Sequence, residues 1–215
     1  MRMLFILACL LLCLSTHAQV KDSIKVLFIY GSKPVHGYEH VEPRWFGGMR
    51  GGHVAIQIGA DKVLSFRSTE YPCHVFSKGK KEKFASVFEY RTVRGAWETF
   101  PPHNYIIDSL QRAEVVIPID SIQRARIDSL AAAYTTQVPY DYAIFGIRCA
   151  SASYKVLQKA GIAPMHKHAN WLRIFTVRAL RKRLFKQAEK NKNNGWKKRI
   201  YKGGTSRKWE RDIKD

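Results

Sequence analysis

The stretch GIRCASASYKVLQKAGI, Gly146 to Ile162, decides how the chain is read. It runs as a turn, a cysteine and then an amphipathic helix. Ala150, Tyr154, Leu157 and Ala160 recur at helical spacing with Val156 beside them, while Lys155, Gln158 and Lys159 fall mainly on the other side. Gly161 supplies the stop. Cys149 therefore stands at or just before the first helical turn, where unpaired backbone N–H groups and the helix dipole favour a thiolate over a thiol. A cysteine so placed is a candidate nucleophile, and it needs a base.

The best-placed base lies upstream, in GGHVAIQIGADKVLSF, Gly51 to Phe66. Two alternating segments flank the turn Gly59-Ala60-Asp61, which predicts a hairpin. Val54, Ile56 and Ile58 share one face; His53, Ala55 and Gln57 share the other. A surface histidine is the ordinary reading of His53. Against it, Gly51-Gly52 allow close backbone approach just before the ring.

The longer run PYDYAIFGIRCASASYKVLQKAGI resembles the cysteine-helix motif of NlpC-type papain-like cell-wall hydrolases, in which a Tyr and a Gly precede the Cys and a Val-rich helix closes on Ala-Gly-Ile. Two positions depart from the pattern: Arg148 stands where that family usually has Asp, and Ala150-Ser151 where it has Ser-Gly. Downstream of the cysteine, His166 and His168 sit in a basic context unsuited to a base. The order of a histidine strand followed by a cysteine helix is similar to the circularly permuted branch, which includes the lecithin:retinol acyltransferase-like proteins. The resemblance spans roughly residues 24 to 165. It implies an α+β fold, papain-like in its permuted NlpC-type form, with an antiparallel sheet and the catalytic Cys at the N-terminus of a packed helix. It also implies His53 as base and, about a dozen positions on, Ser65 as the group that orients it. The family more often has His, Glu or Gln at that place, and His74 is the alternative.

The N-terminus reads as a targeting segment. Arg2 precedes the apolar run Leu4 to Leu14, and Thr16-His17-Ala18 offers small residues for cleavage. The run is too short to span a membrane. The expectation is an exported chain, periplasmic or secreted, with a signal peptide at 1–18, a permuted papain-like domain at 19–165, and a basic helix and tail at 166–215. Export would leave Cys73 and Cys149 as the mature cysteines. In an oxidising compartment these two could instead form a disulfide and lock the site.

Between these landmarks, Ile24 to Tyr30 predicts a buried strand, and Ser32 to Arg50 a long loop whose Tyr38, Trp45 and Phe46 would wall a cleft. His36 and His40 in that loop lack a coherent third ligand, so neither a metal nor another cofactor is expected. Thr69 to Lys83 reads as a turn-rich connection and Phe84 to Val93 as a strand. Glu114 to Ile119 is a further strand, with Pro118 marking an edge or an end. Asp120-Ser121 caps a helix to about Thr136 whose apolar side is Ile122, Ala125, Ile127, Leu130, Ala131 and Tyr134.

The formal charge of +20 is unevenly spread: residues 166–215 hold 17 Lys/Arg against 4 Asp/Glu. Asn170 to Lys190 predicts an amphipathic helix with Trp171, Ile174, Val177, Leu180 and Leu184 on one side, and Asn191 to Asp215 a flexible tail. Such a segment suits an anionic surface, phospholipid or lipopolysaccharide, as well as plain packing on the domain. No recognised module supports nucleic-acid binding.

Taken together, these residues lead to an exported cysteine amidase or peptidase acting through an acyl-enzyme. Its substrate would be a peptide or an N-acyl amide, with peptidoglycan peptides implied by the resemblance. An acyltransferase or lipid-amide hydrolase would use the same residues. A non-catalytic binding protein with a degenerate site is the alternative from another class.

Overall fold

Asp22–Tyr30 forms β1, the strand on which the rest of the sheet is built. Its near-continuous apolar run has a structural cause: both of its faces are covered. Ile24, Val26 and Phe28 enter the main core, while Leu27 joins a second cluster with Ala55 and Val63. The computed structural model describes residues 22–30, 52–68, 74–76, 86–91, 112–165 and 176–201. The expected leader through Ala18, the aromatic loop with His36 and His40, Cys73, His166, His168, Trp171 and Ile174 lie outside them.

The following strands are β2 (Gly52–Gln57), β3 (Val63–Ser68), β4 (His74–Phe76), β5 (Ser86–Arg91), β6 (Arg112–Ile119), β7 (Ala143–Phe145) and β8 (Lys197–Tyr201). Six of them make one sheet in the order β5-β3-β2-β1-β6-β8, every neighbouring pair antiparallel. The other two, β4 and β7, form a small parallel pair. The helices are α1 (Ser121–Thr136), α2 (Cys149–Lys159) and α3 (Val177–Lys190). The class is α+β, with an antiparallel sheet and three helices among the described residues.

The hairpin forms as its alternation predicts. Ile58 N–H donates to the Lys62 carbonyl at 2.9 Å, and the Gln57 amide donates to the Gly59 and Ala60 carbonyls at 3.0 Å each. Pro118 is also accounted for. β8 pairs with β6 only as far as Val116, so the proline lies beyond the stretch where its missing N–H would be needed.

Helix α1 begins where its cap predicts. Asp120 accepts from Gln123 N–H at 2.7 Å, and the Gln123 side chain returns to Asp120 N–H at 3.1 Å, a reciprocal capping box. Its buried side is narrower than expected: Ile127, Ala131 and Tyr134 are covered, whereas Ile122 and Ala125 face solvent. The bidentate ion pair of Arg124 with Asp22 fastens this helix to the start of β1.

The C-terminal region departs most from expectation. Thr176 caps α3, accepting from Ala179 N–H at 3.1 Å, and Val177, Leu180, Leu184, Phe185 and Ala188 are buried in the main core. Each of the four larger side chains contributes about 1.5–3 kcal/mol on burial. Beyond the helix, the stretch expected to be flexible from Asn191 continues through a 3₁₀ turn at Lys192–Asn194 into β8, the sixth strand of the sheet. Residues 177–201 thus complete the domain. The boundary expected at 165 does not separate them from it.

Candidate active site

Cys149 is the first residue of α2, as its sequence context predicts. The approach to it is a tight loop. Tyr142 and Ile147 form a bridge, Ala143 N–H donates to the Ile147 carbonyl at 3.3 Å, and a Cβ on Gly146 would sit 3.0 Å from that of Ala143. Any larger residue at this point would crowd Ala143. The preceding aromatics hold this loop in place: Tyr142 lies against Phe66 with ring centroids 5.4 Å apart, and Tyr140 meets both Phe66 and Tyr134 edge-on at 6.0 Å.

Cys149 is 4 % exposed. Burial pushes its pKa up, because a thiolate there would lose its hydration. Four groups pull the other way, in this order: the charge of Arg148, the backbone N–H groups of Val54 and Ala150, and the Tyr142 hydroxyl. Burial wins. The helix N-terminus alone predicts a thiolate, whereas the structure favours a neutral thiol. Arg148, one of the departures from the family pattern, is the strongest of the groups favouring ionisation.

The Val54 amide places the sulfur against the start of β2, one peptide bond from His53. Gly52, with φ +100, brings the chain into that strand through a conformation that L side chains rarely adopt. His53 is 7 % exposed and Ser65 fully buried. Ser65 pairs with Ala55 across the hairpin, two positions beyond His53 and on the same face. This diagonal relation brings His53 Nε2 within 2.7 Å of Ser65 Oγ. The histidine is therefore held in the interior by a partner and is not a surface residue.

Cys149 is a free cysteine, so the structure contains no locking disulfide at this position. His74, the alternative orienting group, stands on β4 opposite Ala143 in the strand register, and Ser65 is hydrogen-bonded to His53. Tyr142 is the site residue the sequence reading passed over. Its signal was faint: a tyrosine seven positions before a candidate nucleophile acquires meaning only once Gly146 closes the intervening loop. No group of three His, Cys, Asp or Glu side chains among the described residues is arranged to hold a metal ion. None of the described helices is long and apolar enough to cross a membrane.

No family model matches the chain, nor does any curated protein or solved structure. The likeness to NlpC-type hydrolases thus rests on the two quoted motifs alone.

Proposed function

We propose that the protein is an exported cysteine-dependent amidase or peptidase on a permuted papain-like fold, with Cys149 as nucleophile, His53 as base and Ser65 as the orienting group. One observation carries this reading: a helix-initiating cysteine packs in the core with Val54 of β2, and the residue before Val54 is a buried histidine whose Nε2 is tied to Ser65. With Nε2–H donating to Ser65 Oγ, Nδ1 is the nitrogen that receives the thiol proton. Because burial favours the neutral thiol, that proton leaves as the sulfur attacks the substrate carbonyl. The new C–S bond gives a tetrahedral oxyanion, which the Cys149 backbone N–H can stabilise from the first turn of α2. The C–N bond then breaks and the departing amine takes the proton from His53. Water, deprotonated by the same imidazole, releases the acid and restores the thiol.

The resemblance puts peptidoglycan peptides first among substrates, an argument by analogy. An acyltransferase would share the acyl-enzyme and differ only in the acceptor. The test is turnover of cell-wall peptides and of N-acyl amides by the purified chain and by Cys149→Ala, with mass spectrometry for an acyl adduct. Turnover and an adduct that both vanish in the variant support the proposal; turnover unchanged by the substitution ends it. Burial of the sulfur and an uncharged orienting residue favour one competitor, a binding protein that keeps the geometry without chemistry. Substrate binding with neither turnover nor adduct would identify it.

A further inference from the structure

Among the described residues, positive charge is concentrated in the C-terminal segment. Residues 176–201 carry ten Lys/Arg and a single acid, Glu189, whereas residues 112–165 carry six against four. That one acid is already engaged, since Lys198 Nζ lies 2.9 Å from its carboxylate. Along the outer side of α3, Lys182, Lys186 and Lys190 are exposed at four-residue spacing, with half-buried Arg178 one turn earlier. Like charges at this spacing repel and weaken a helix. A helix that met only water would be better served by acids in that row. The exposed Lys192 and Lys197 extend the positive surface through the 3₁₀ turn to the edge strand.

We infer that the outer side of α3, with the turn that follows it, docks the protein on an anionic phospholipid bilayer. The apolar side of α3 is committed to the core, so this helix does not lie in the acyl region. Contact is at headgroup level, through the lysine row and flanking cations. The same charge disfavours a second copy of this chain as the occupant. Lysines on β8 likewise discourage strand addition at the sheet edge.

The experiment is co-sedimentation of the full chain with vesicles of phosphatidylglycerol in phosphatidylcholine, set against phosphatidylcholine alone. Any binding through the apolar N-terminal run would be common to both compositions. The expected result is binding that requires the anionic lipid and falls at least tenfold between about 0.05 and 0.5 M salt, as the Debye length contracts. At roughly fivefold per cation near the surface, K182Q/K186Q/K190Q should lower affinity on the order of a hundredfold with an unchanged melting curve. K186E should weaken binding several-fold, whereas K62E, the same charge change on the exposed hairpin turn, should not. Equal losses in K186E and K62E would reduce the effect to net charge and overturn the assignment. So would salt-insensitive binding, or tight binding to duplex DNA with none to anionic vesicles. If the triple variant melts lower, the K186E and K62E pair still decides the matter.

Discussion

His53 Nε2 and Ser65 Oγ meet at 2.7 Å in the interior, across neighbouring strands and twelve residues apart in sequence. A hydroxyl can fix the tautomer of an imidazole but brings no charge to stabilise its protonated form. Ser65→Ala is therefore expected to lower kcat by about ten- to a hundredfold with little effect on KM, and His53→Ala to abolish turnover. Loss of this buried hydrogen bond also costs stability, about 0.5–1.5 kcal/mol. Denaturant unfolding of Ser65→Ala against the parent checks the second figure.

Burial holds the Cys149 thiol in its neutral form, and its reactivity should show this. In a Cys73→Ser background, alkylation of Cys149 should accelerate with pH along a curve whose midpoint lies above that of an ordinary thiol. Tyr142→Phe, which removes a hydrogen bond favouring the thiolate, should move the midpoint higher still. A midpoint below the ordinary thiol range would show that the helix N-terminus and Arg148 outweigh burial.

The same shift affects stability. A pKa raised in the folded state contributes stability that is fully present below the unfolded thiol pKa, near 8.5, and is lost as pH rises through the folded value. The parent should lose stability between about pH 8.5 and 10, before most tyrosines ionise, and Cys149→Ser should lose less over that interval. Urea midpoints measured across the range decide it.

Asp22 behaves in the opposite sense. Its hydrogen bonds from Arg124 hold the carboxyl below the usual range. The stability it contributes is therefore present above an unfolded pKa near 3.9 and disappears as pH falls through the lower folded value. The side chain is 49 % exposed, so screening limits the pair to about 0.5–1 kcal/mol. Asp22→Asn should be weaker than the parent by that amount at pH 7, and the difference should shrink as pH falls below the unfolded carboxyl pKa. Arg124→Ala should cost more, because this guanidinium also donates to the Ile58 carbonyl.

The packing of α3 gives a further expectation. Leu184→Ala should destabilise the domain by about 2–5 kcal/mol. A chain ending at Pro164 should fail to fold, since it lacks four fully or largely buried positions of the core, Leu180, Leu184, Phe185 and Ala188, and one edge of the sheet. Circular dichroism and a cooperative melt report both.

The parts of this architecture legible in the sequence were those with local causes. The Asp120 cap, the hairpin around Gly59 and the helix starting at Cys149 follow from spacing and turn chemistry within a few residues. The alternation in β2 put His53 on the same side as Ala55, and the register with β3 then selected Ser65. What stayed hidden depends on distant partners. Lys197 to Tyr201 has no apolar alternation because it is an edge strand with little to bury, so nothing local distinguishes it from a solvated tail. The thiol's protonation was hidden likewise: the helix terminus is visible in the sequence, but the burial that outweighs it comes from packing against the sheet.

The order of the strands also bears on how fast the chain can fold. β1 pairs with β6, and β6 with β8, and both seams join residues more than eighty positions apart. The loop-closure entropy of these seams must be met before their hydrogen bonds form, which puts such topologies in the millisecond-to-second regime. Because β8 is the final described strand, the sheet cannot close until the chain through Tyr201 is available. Until then β6 has an open side, and the residues that will surround Cys149 belong to an unfinished nucleus.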